Sequence, residues 1–121
     1  MDVSALLNEL RSRGCDIDGA LVRFLNKEDF YAKLFKKFLK DASIEGLGEA
    51  LKAKDVDTAF RHAHTLKGLT ANMGLTPLYD IVVKIVEPLR AGKLDDNLNP
   101  LYDKLMAELK NYKILAERDG E

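Results

Sequence analysis

The sequence has little of several residue types that mark specialised classes of protein. It contains no tryptophan, one cysteine, three prolines and eight glycines among 121 residues. A single thiol, Cys15, excludes an internal disulfide and a cysteine cluster around a metal, so we expect a buried or spectator thiol. The low proline and glycine content also excludes collagen-like and low-complexity chains.

Neither sign of charge is in excess. Nineteen basic and twenty acidic residues leave a formal net charge of -1, which gives no electrostatic reason to bind nucleic acid or an anionic membrane. No apolar run is long enough to span a bilayer, and Met1 is not followed by a basic start that leads into an apolar stretch. We therefore expect no membrane segment, no secretory signal and a cytoplasmic monomer that binds a protein partner or a small ligand.

Helical periodicity is the main feature that is present. Hydrophobic residues make up 46% of the chain and recur every three or four positions, without sustained alternation. This pattern predicts an all-α fold, an antiparallel up-and-down four-helix bundle with short additional N-terminal helices. We expect one domain over residues 1–121, with the N-terminal helices in 1–26 and the bundle in 27–117.

Capping residues mark the predicted ends of the N-terminal helices. A first helix from Val3 ends at Gly14, a residue favoured where a chain leaves the right-handed helical region. Asp16 or Asp18 is predicted to cap a second, shorter helix. The next apolar run is predicted to face the core, and its members are Phe30, Leu34, Phe35 and Phe38.

The pattern falters around Ser43, which could cap a new helical stretch. Gly46 and Gly48 follow, and each lowers the intrinsic helix propensity by about 1 kcal/mol. We predict either a kink or two abutting helices in this segment.

The most informative helix is predicted at about residues 55–75. It closes near Gly74, and Thr76 is the expected cap of the next helix, with Pro77 in its first position. Pro88, near the end of that next helix, is expected to bend or fray it because proline lacks an N–H and its ring clashes with the preceding turn.

Both histidines of the chain, His62 and His64, lie on the predicted 55–75 helix. At about 100° per residue, His62 falls near the core face of this helix, whereas His64 points about 160° away from Leu66 on that face. The two imidazoles diverge by about 200°, and no nearby carboxylate pattern completes a zinc site. We predict no metal site, a half-buried structural role for His62 and an exposed imidazole at His64.

The neighbours of His64 distinguish it from an ordinary surface histidine. Lys67, at i+3, can place an ammonium beside an anion attached to the ring. Gly68, at i+4, costs about 1 kcal/mol relative to alanine in a helix interior. Ala71 lies on the same side of the helix and is also small, so we expect another molecule to approach this surface closely. An exposed imidazole is mostly neutral near pH 7 and has a lone pair that can attack phosphorus. The arrangement favours phosphoryl transfer.

The residues around His64 resemble a known motif. Histidine phosphotransfer (HPt) domains of bacterial multistep phosphorelays have a phosphorylation motif similar to Ala63-His64-Thr65-Leu66-Lys67-Gly68 followed by Ala71-Asn72-Met73-Gly74-Leu75. The resemblance covers roughly residues 10–115, including the segments 14–17, 31–38 and 54–55.

The resemblance implies a phosphoryl carrier rather than an enzyme. Nε2 of His64 would accept a phosphoryl group from the aspartyl phosphate of a response-regulator receiver domain and donate it to another receiver, in a relay that includes a hybrid histidine kinase. The chain itself would need no cofactor, because the Mg²⁺ and the catalytic carboxylates would belong to the partner. Lys67 would stabilise the phosphohistidine, and Gly68 and Ala71 would give the partner access.

One position departs from the family's pattern. Many members place Gln or Glu on the neighbouring helix, 22 residues after the histidine, where it hydrogen-bonds the other ring nitrogen; this chain has Val86 there, followed by Glu87. We hypothesise that Glu87 orients the ring if Pro88 distorts the helix, and that Arg90 is a second cation near the phosphate. The alternative for each is an ordinary surface charge at a helix end.

Two other functions are compatible with a helical domain of this kind. The first is an adaptor that binds a receiver or kinase domain without being phosphorylated, which the His64, Lys67 and Gly68 pattern disfavours. The second is the phosphotransfer domain of a chemotaxis-type kinase, although the nucleotide-binding sequences of such a kinase do not occur in this chain. The chain could still be a fragment of such a protein.

Overall fold

The computed structural model describes residues 2–119, and this range contains seven α-helices and no strand. The predicted all-α class is therefore confirmed. The helices are α1 (Val3–Ser12), α2 (Ile17–Arg23), α3 (Glu28–Phe38), α4 (Ala42–Lys52), α5 (Val56–Asn72), α6 (Thr76–Arg90) and α7 (Leu98–Asp119).

Aspartate side chains begin four of these helices. Asp2, Asp16, Asp41 and Asp55 each accept a hydrogen bond from a backbone N–H two or three residues later, at the starts of α1, α2, α4 and α5. Such bonds satisfy N–H groups that have no partner within the helix. Asp41 takes the capping place predicted for Ser43, which is buried inside the first turn of α4. The segment forms two abutting helices rather than one kinked helix.

The start of α6 lies one residue earlier than predicted. Leu75, not Thr76, occupies the N-cap, and Pro77 is the second helical residue. Leu75 is fully buried, and its N–H donates to the Thr70 carbonyl at 2.9 Å, which closes α5. Packing of this leucine, rather than a side-chain cap, sets the boundary. The helix then continues through Pro88 to Arg90, so the last turn does not fray.

The first turn of α3 turns a different aromatic residue towards the core than predicted. Phe30 is 47% exposed, whereas Tyr31 is fully buried, so the prediction that Phe30 faces the core was wrong. The Tyr31 hydroxyl donates to the Met73 carbonyl at 2.6 Å, which holds this side of α3 inward. Phe35 and Phe38 are buried as predicted.

The helices pack so that α5 lies between two neighbours. It contacts α4 on one side and α6 on the other, α6 contacts α7, and α7 returns to α4. The N-terminal α1 contacts α2, α3 and α7. One continuous apolar core joins all seven helices, and its largest fully buried side chains include Leu6, Tyr31, Phe35, Leu78 and Tyr112.

Within residues 2–119, no helix combines the length and the hydropathy that a bilayer-spanning segment needs.

Candidate functional site

The N-terminal end of α5 is fixed by Asp55. Its carboxylate accepts hydrogen bonds from the Thr58 N–H at 3.2 Å and from the Thr58 hydroxyl at 2.7 Å. These bonds favour the charged carboxylate and lower the pKa of Asp55 below its ordinary value. The helix that carries both histidines thus has a defined first turn.

The C-terminal end of α5 is fixed by side chains from two other helices. Arg23 of α2 donates to the Asn72 and Ala71 carbonyls, each at 3.0 Å, and Tyr31 of α3 donates to the Met73 carbonyl. Carbonyl groups at a helix end have no partner within the helix and carry partial negative charge, which a guanidinium satisfies well. Gly74 follows with φ of +70°, which lets the chain turn into α6.

His62 is half-buried and lies against α4, as expected of a structural histidine. A Cβ placed on Gly46 of α4 would lie 2.6 Å from its Nε2 and 2.7 Å from its Cε1. The imidazole therefore occupies the space that a side chain at residue 46 would need. The sequence indicated only that Gly46 weakens a helix; the structure adds that this glycine makes room for His62.

His64 is exposed, as its helical spacing predicts. Its imidazole lies beside the ring of Phe60 one turn earlier, with 5.7 Å between the ring centroids and 39° between the planes. The guanidinium carbon of Arg90, at the end of α6, lies 5.5 Å from the centroid of the same Phe60 ring. Sequence reasoning missed Phe60, although its i,i+4 spacing to His64 was a usable signal.

The three predicted neighbours of His64 lie on the same side of α5. Lys67 is half-buried, and within residues 2–119 its ammonium has no ion pair. Gly68 is exposed, and a Cβ added there would meet nothing within 4 Å. Ala71 is exposed as well. Packing within the chain thus gives no reason for a glycine at residue 68.

The two candidates on α6 differ in what they contact. Val86 is fully buried, and Glu87 is exposed on the next position. Over the described part of the chain, no hydrogen bond joins Glu87 to His64, and none reaches the His64 ring from any other residue. Arg90, in contrast, is linked to His64 through Phe60. A role for Glu87 in orienting the ring stays a prediction without a supporting contact.

The single thiol of the chain is not presented at this surface. Cys15 is buried, its Sγ lies 3.5 Å from the Tyr112 hydroxyl, and burial raises the pKa of the thiol, so it stays protonated and unreactive. Among residues 2–119, no three His, Cys, Asp or Glu side chains come together in a way that could hold a metal ion.

A comparison with known families identifies the class of protein. The family model of the Hpt domain matches residues 33–112, from the middle of α3 to the second half of α7. No curated protein and no solved structure gives a significant match. Hpt domains are phosphotransfer carriers rather than catalysts, and they act with receiver domains and kinases in phosphorelays. Since the match spans most of the chain and includes the helix with the exposed histidine, the protein belongs to the Hpt domain family.

Proposed function

We propose that this chain carries a phosphoryl group on His64 between the aspartates of receiver domains. The observation that supports this most directly is the difference between its two histidines. His62 is half-buried against α4, whereas His64 is exposed beside a cation, Lys67, and an open glycine, Gly68. The one accessible imidazole therefore has the surroundings that an attached anion and a docking protein require.

The proposed transfer is a substitution at phosphorus. The lone pair of Nε2 of His64 attacks the phosphorus of the partner's aspartyl phosphate, a nitrogen–phosphorus bond forms, and the aspartate leaves as a carboxylate. The ring is a cation immediately afterwards and returns to neutral when Nδ1 loses its proton. The reverse substitution hands the phosphoryl group to the next receiver.

Two cations of this chain would offset the new negative charge. Lys67 lies one turn after His64, so its ammonium can reach a phosphoryl group on the ring. Arg90 lies next to Phe60 and can turn towards a phosphoryl group on the neighbouring ring. Mg²⁺ and the carboxylates that bind it would come from the receiver domain.

The proposed fold of the carrier is an up-and-down four-helix bundle made of α4, α5, α6 and α7. Its support is the closed cycle of contacts in which each of these helices touches the next and α7 touches α4. In this arrangement α1 and α3 pack outside the bundle against α7. The His64 face of α5 remains uncovered because α4 and α6 occupy its other sides.

The test is a phosphotransfer assay with labelled receiver domain. The receiver is charged with a labelled phosphodonor, mixed with the chain, and label that is stable in base and labile in acid is followed. We expect label on the wild type and on His62→Gln, and none on His64→Gln. The His62→Gln variant is the matched control, since it removes the other imidazole of the same helix.

Label retained by His64→Gln, or lost equally from both variants, would contradict the assignment. Circular dichroism of each variant shows whether α-helix content is intact, so that a loss of label is attributed to the missing imidazole. A receiver domain that binds the wild-type chain but never transfers label to it would favour the adaptor function instead.

A further inference from the structure

The imidazole of His64 has no hydrogen-bonded partner that fixes its orientation. The residue of α6 at the position where a polar side chain would be expected is Val86, which is aliphatic and fully buried. Within residues 2–119 no other donor or acceptor reaches the ring. An exposed side chain without such a contact samples several rotamers, and only some of them aim a nitrogen at a partner's phosphorus.

Phe60 supplies a different kind of restraint. Side chains on an α-helix lean towards its N-terminus, so His64 leans over the residue at i−4, which is Phe60. The centroid distance of 5.7 Å and the tilt of 39° are those of an aromatic pair in contact. Phe60 is half-buried, whereas His64 is exposed, so the Phe60 ring is the better fixed of the two.

Arg90 in turn restrains Phe60 from another helix. Its guanidinium carbon lies 5.5 Å from the Phe60 centroid, within the range of a cation–π contact. Arg90 is the last residue of α6, where a cation also interacts favourably with the helix dipole. The contact ties the end of α6 to the ring that lies beside His64.

The two sides of His64 along α5 are therefore unequal. The side towards the N-terminus is closed by Phe60, and the side towards the C-terminus is open, because Gly68 has nothing within 4 Å of its missing Cβ. A partner can reach the imidazole only from the open side or from directly above.

We propose that Phe60 is a positioning residue for phosphoryl transfer, which keeps the His64 imidazole against its own ring, with the free side of the imidazole turned towards Gly68, and which is itself held by Arg90. This inference rests on the proposed function. In place of a hydrogen bond, the ring is restrained by an aromatic contact within α5, and this contact is supported by a cation–π contact from α6. Phe60 does not touch the phosphoryl group and acts only through the orientation of the ring.

The experiment compares Phe60→Leu with Phe60→Tyr in the full chain. Leucine keeps apolar volume but removes the aromatic face, whereas tyrosine keeps the ring. We measure the single-turnover rate of transfer from a phosphorylated receiver, the affinity for the unphosphorylated receiver, and the proton resonances of the His64 imidazole. For Phe60→Leu we expect the ring-current contribution to the His64 proton shifts to disappear, the transfer rate to fall about three- to tenfold, and the affinity to stay unchanged.

The second variant, Arg90→Gln, removes the cation–π contact without changing either ring, and this contact is judged from the His64 resonance, because loss of a cation near the phosphoryl group would also lower the transfer rate. We expect a smaller decrease in rate and a broadened His64 resonance, while Phe60→Tyr should transfer at close to the wild-type rate. A normal transfer rate in Phe60→Leu, with the ring-current shift gone, would overturn the positioning role. An affinity that falls together with the rate would also overturn it, since Phe60 would then be a docking contact.

Failure of the proposed function would look different from failure of this inference. If wild-type chain takes up no label, the phosphoryl carrier is refuted, and the positioning role with it, whatever the resonances show. If wild-type chain takes up label at His64 but the Phe60 variants behave like it, only the positioning role is refuted.

Discussion

Two opposite faces of α5 each carry a histidine, and the two histidines differ in their surroundings. On the face towards α4, His62 is half-buried and fills the space above Gly46. On the outer face, His64 is exposed, and the glycine beside it, Gly68, has no neighbour within 4 Å. Both glycines weaken a helix, but only Gly46 has a reason inside the chain. A helix-weakening residue without an internal reason supports the close approach of a docking partner that we propose for this face.

The difference between Gly46 and Gly68 is tested most directly by adding a methyl group at each position. Gly68→Ala should raise the free energy of unfolding by up to about 1 kcal/mol, since alanine is the better helix former and meets nothing. Gly46→Ala gains the same propensity but forces the His62 ring to move aside, so it should stabilise the fold less than Gly68→Ala does. Urea unfolding followed by circular dichroism measures both values, and equal effects at the two positions would contradict the comparison.

A double variant identifies the cause of the crowding. Removing the ring with His62→Ala should make Gly46→Ala more favourable than it is in the wild-type background, because the two positions are in contact. The same His62→Ala change should leave the effect of Gly68→Ala on the unfolding free energy unaltered. Residue 68 is therefore the control for this double-mutant cycle.

A side chain larger than methyl at residue 68 tests whether a partner approaches this position closely. Gly68→Gln should leave helix content and the unfolding midpoint close to those of Gly68→Ala, yet slow phosphoryl transfer about tenfold, which corresponds to 1.36 kcal/mol. The rate is measured with a labelled receiver under single-turnover conditions. As a matched control, Ala53→Gln adds a glutamine at an exposed position after α4 and should transfer normally. Unchanged transfer by Gly68→Gln would remove the close-approach explanation.

Substitution of Lys67, on the outer face of α5, should slow phosphoryl transfer less than Gly68→Gln does. Lys67→Ala is expected to reduce the transfer rate or the lifetime of the phosphohistidine about two- to fivefold, the effect of a partly exposed charge pair worth 0.5–1 kcal/mol. Added salt should shrink the difference between variant and wild type, because it screens the ammonium. A difference that is the same at low and high salt would show that Lys67 acts through packing instead.

Substitution of Asp55 should have the smallest effect of these changes. It should alter the stability of the fold without distinguishing the two faces of α5. Its pKa is lowered in the folded chain by hydrogen bonds from Thr58, so its carboxylate stabilises the fold at neutral pH, and this contribution is lost as the pH falls through the lowered value. Asp55→Asn keeps a capping oxygen but removes the charge. Unfolding free energies of the two proteins should differ at neutral pH, and the difference should shrink as the pH falls through the lowered pKa of Asp55. A constant gap would contradict a charge-based contribution.

The sequence was sufficient wherever the relevant geometry lies within one helix. An apolar period of three to four residues predicted an all-α chain, and the rotation of about 100° per residue separated an exposed His64 from a half-buried His62. The C-terminal ends of α1 and α5 also followed from Gly14 and Gly74, because a glycine with positive φ ends the last turn of its own helix.

The errors arose where two helices meet. Phe30 and Tyr31 are adjacent aromatic residues, and which of them enters the core depends on the bond from Tyr31 to the Met73 carbonyl, 42 positions away. The start of α6 likewise depends on the burial of Leu75 rather than on the capping chemistry of Thr76. Local propensities differ too little between neighbouring positions to choose between such alternatives.

What the sequence determined by itself, then, is which histidine faces outward and which small and charged residues share its face. The tertiary structure decided which side chains from other helices lie near that face: Gly46 below His62, Arg90 beside Phe60, and Arg23 at the end of α5. The physical reason is that spacing along a helix is set by backbone geometry alone. The rotation and register of one helix against another are set by the packing of the whole core, which no single segment contains.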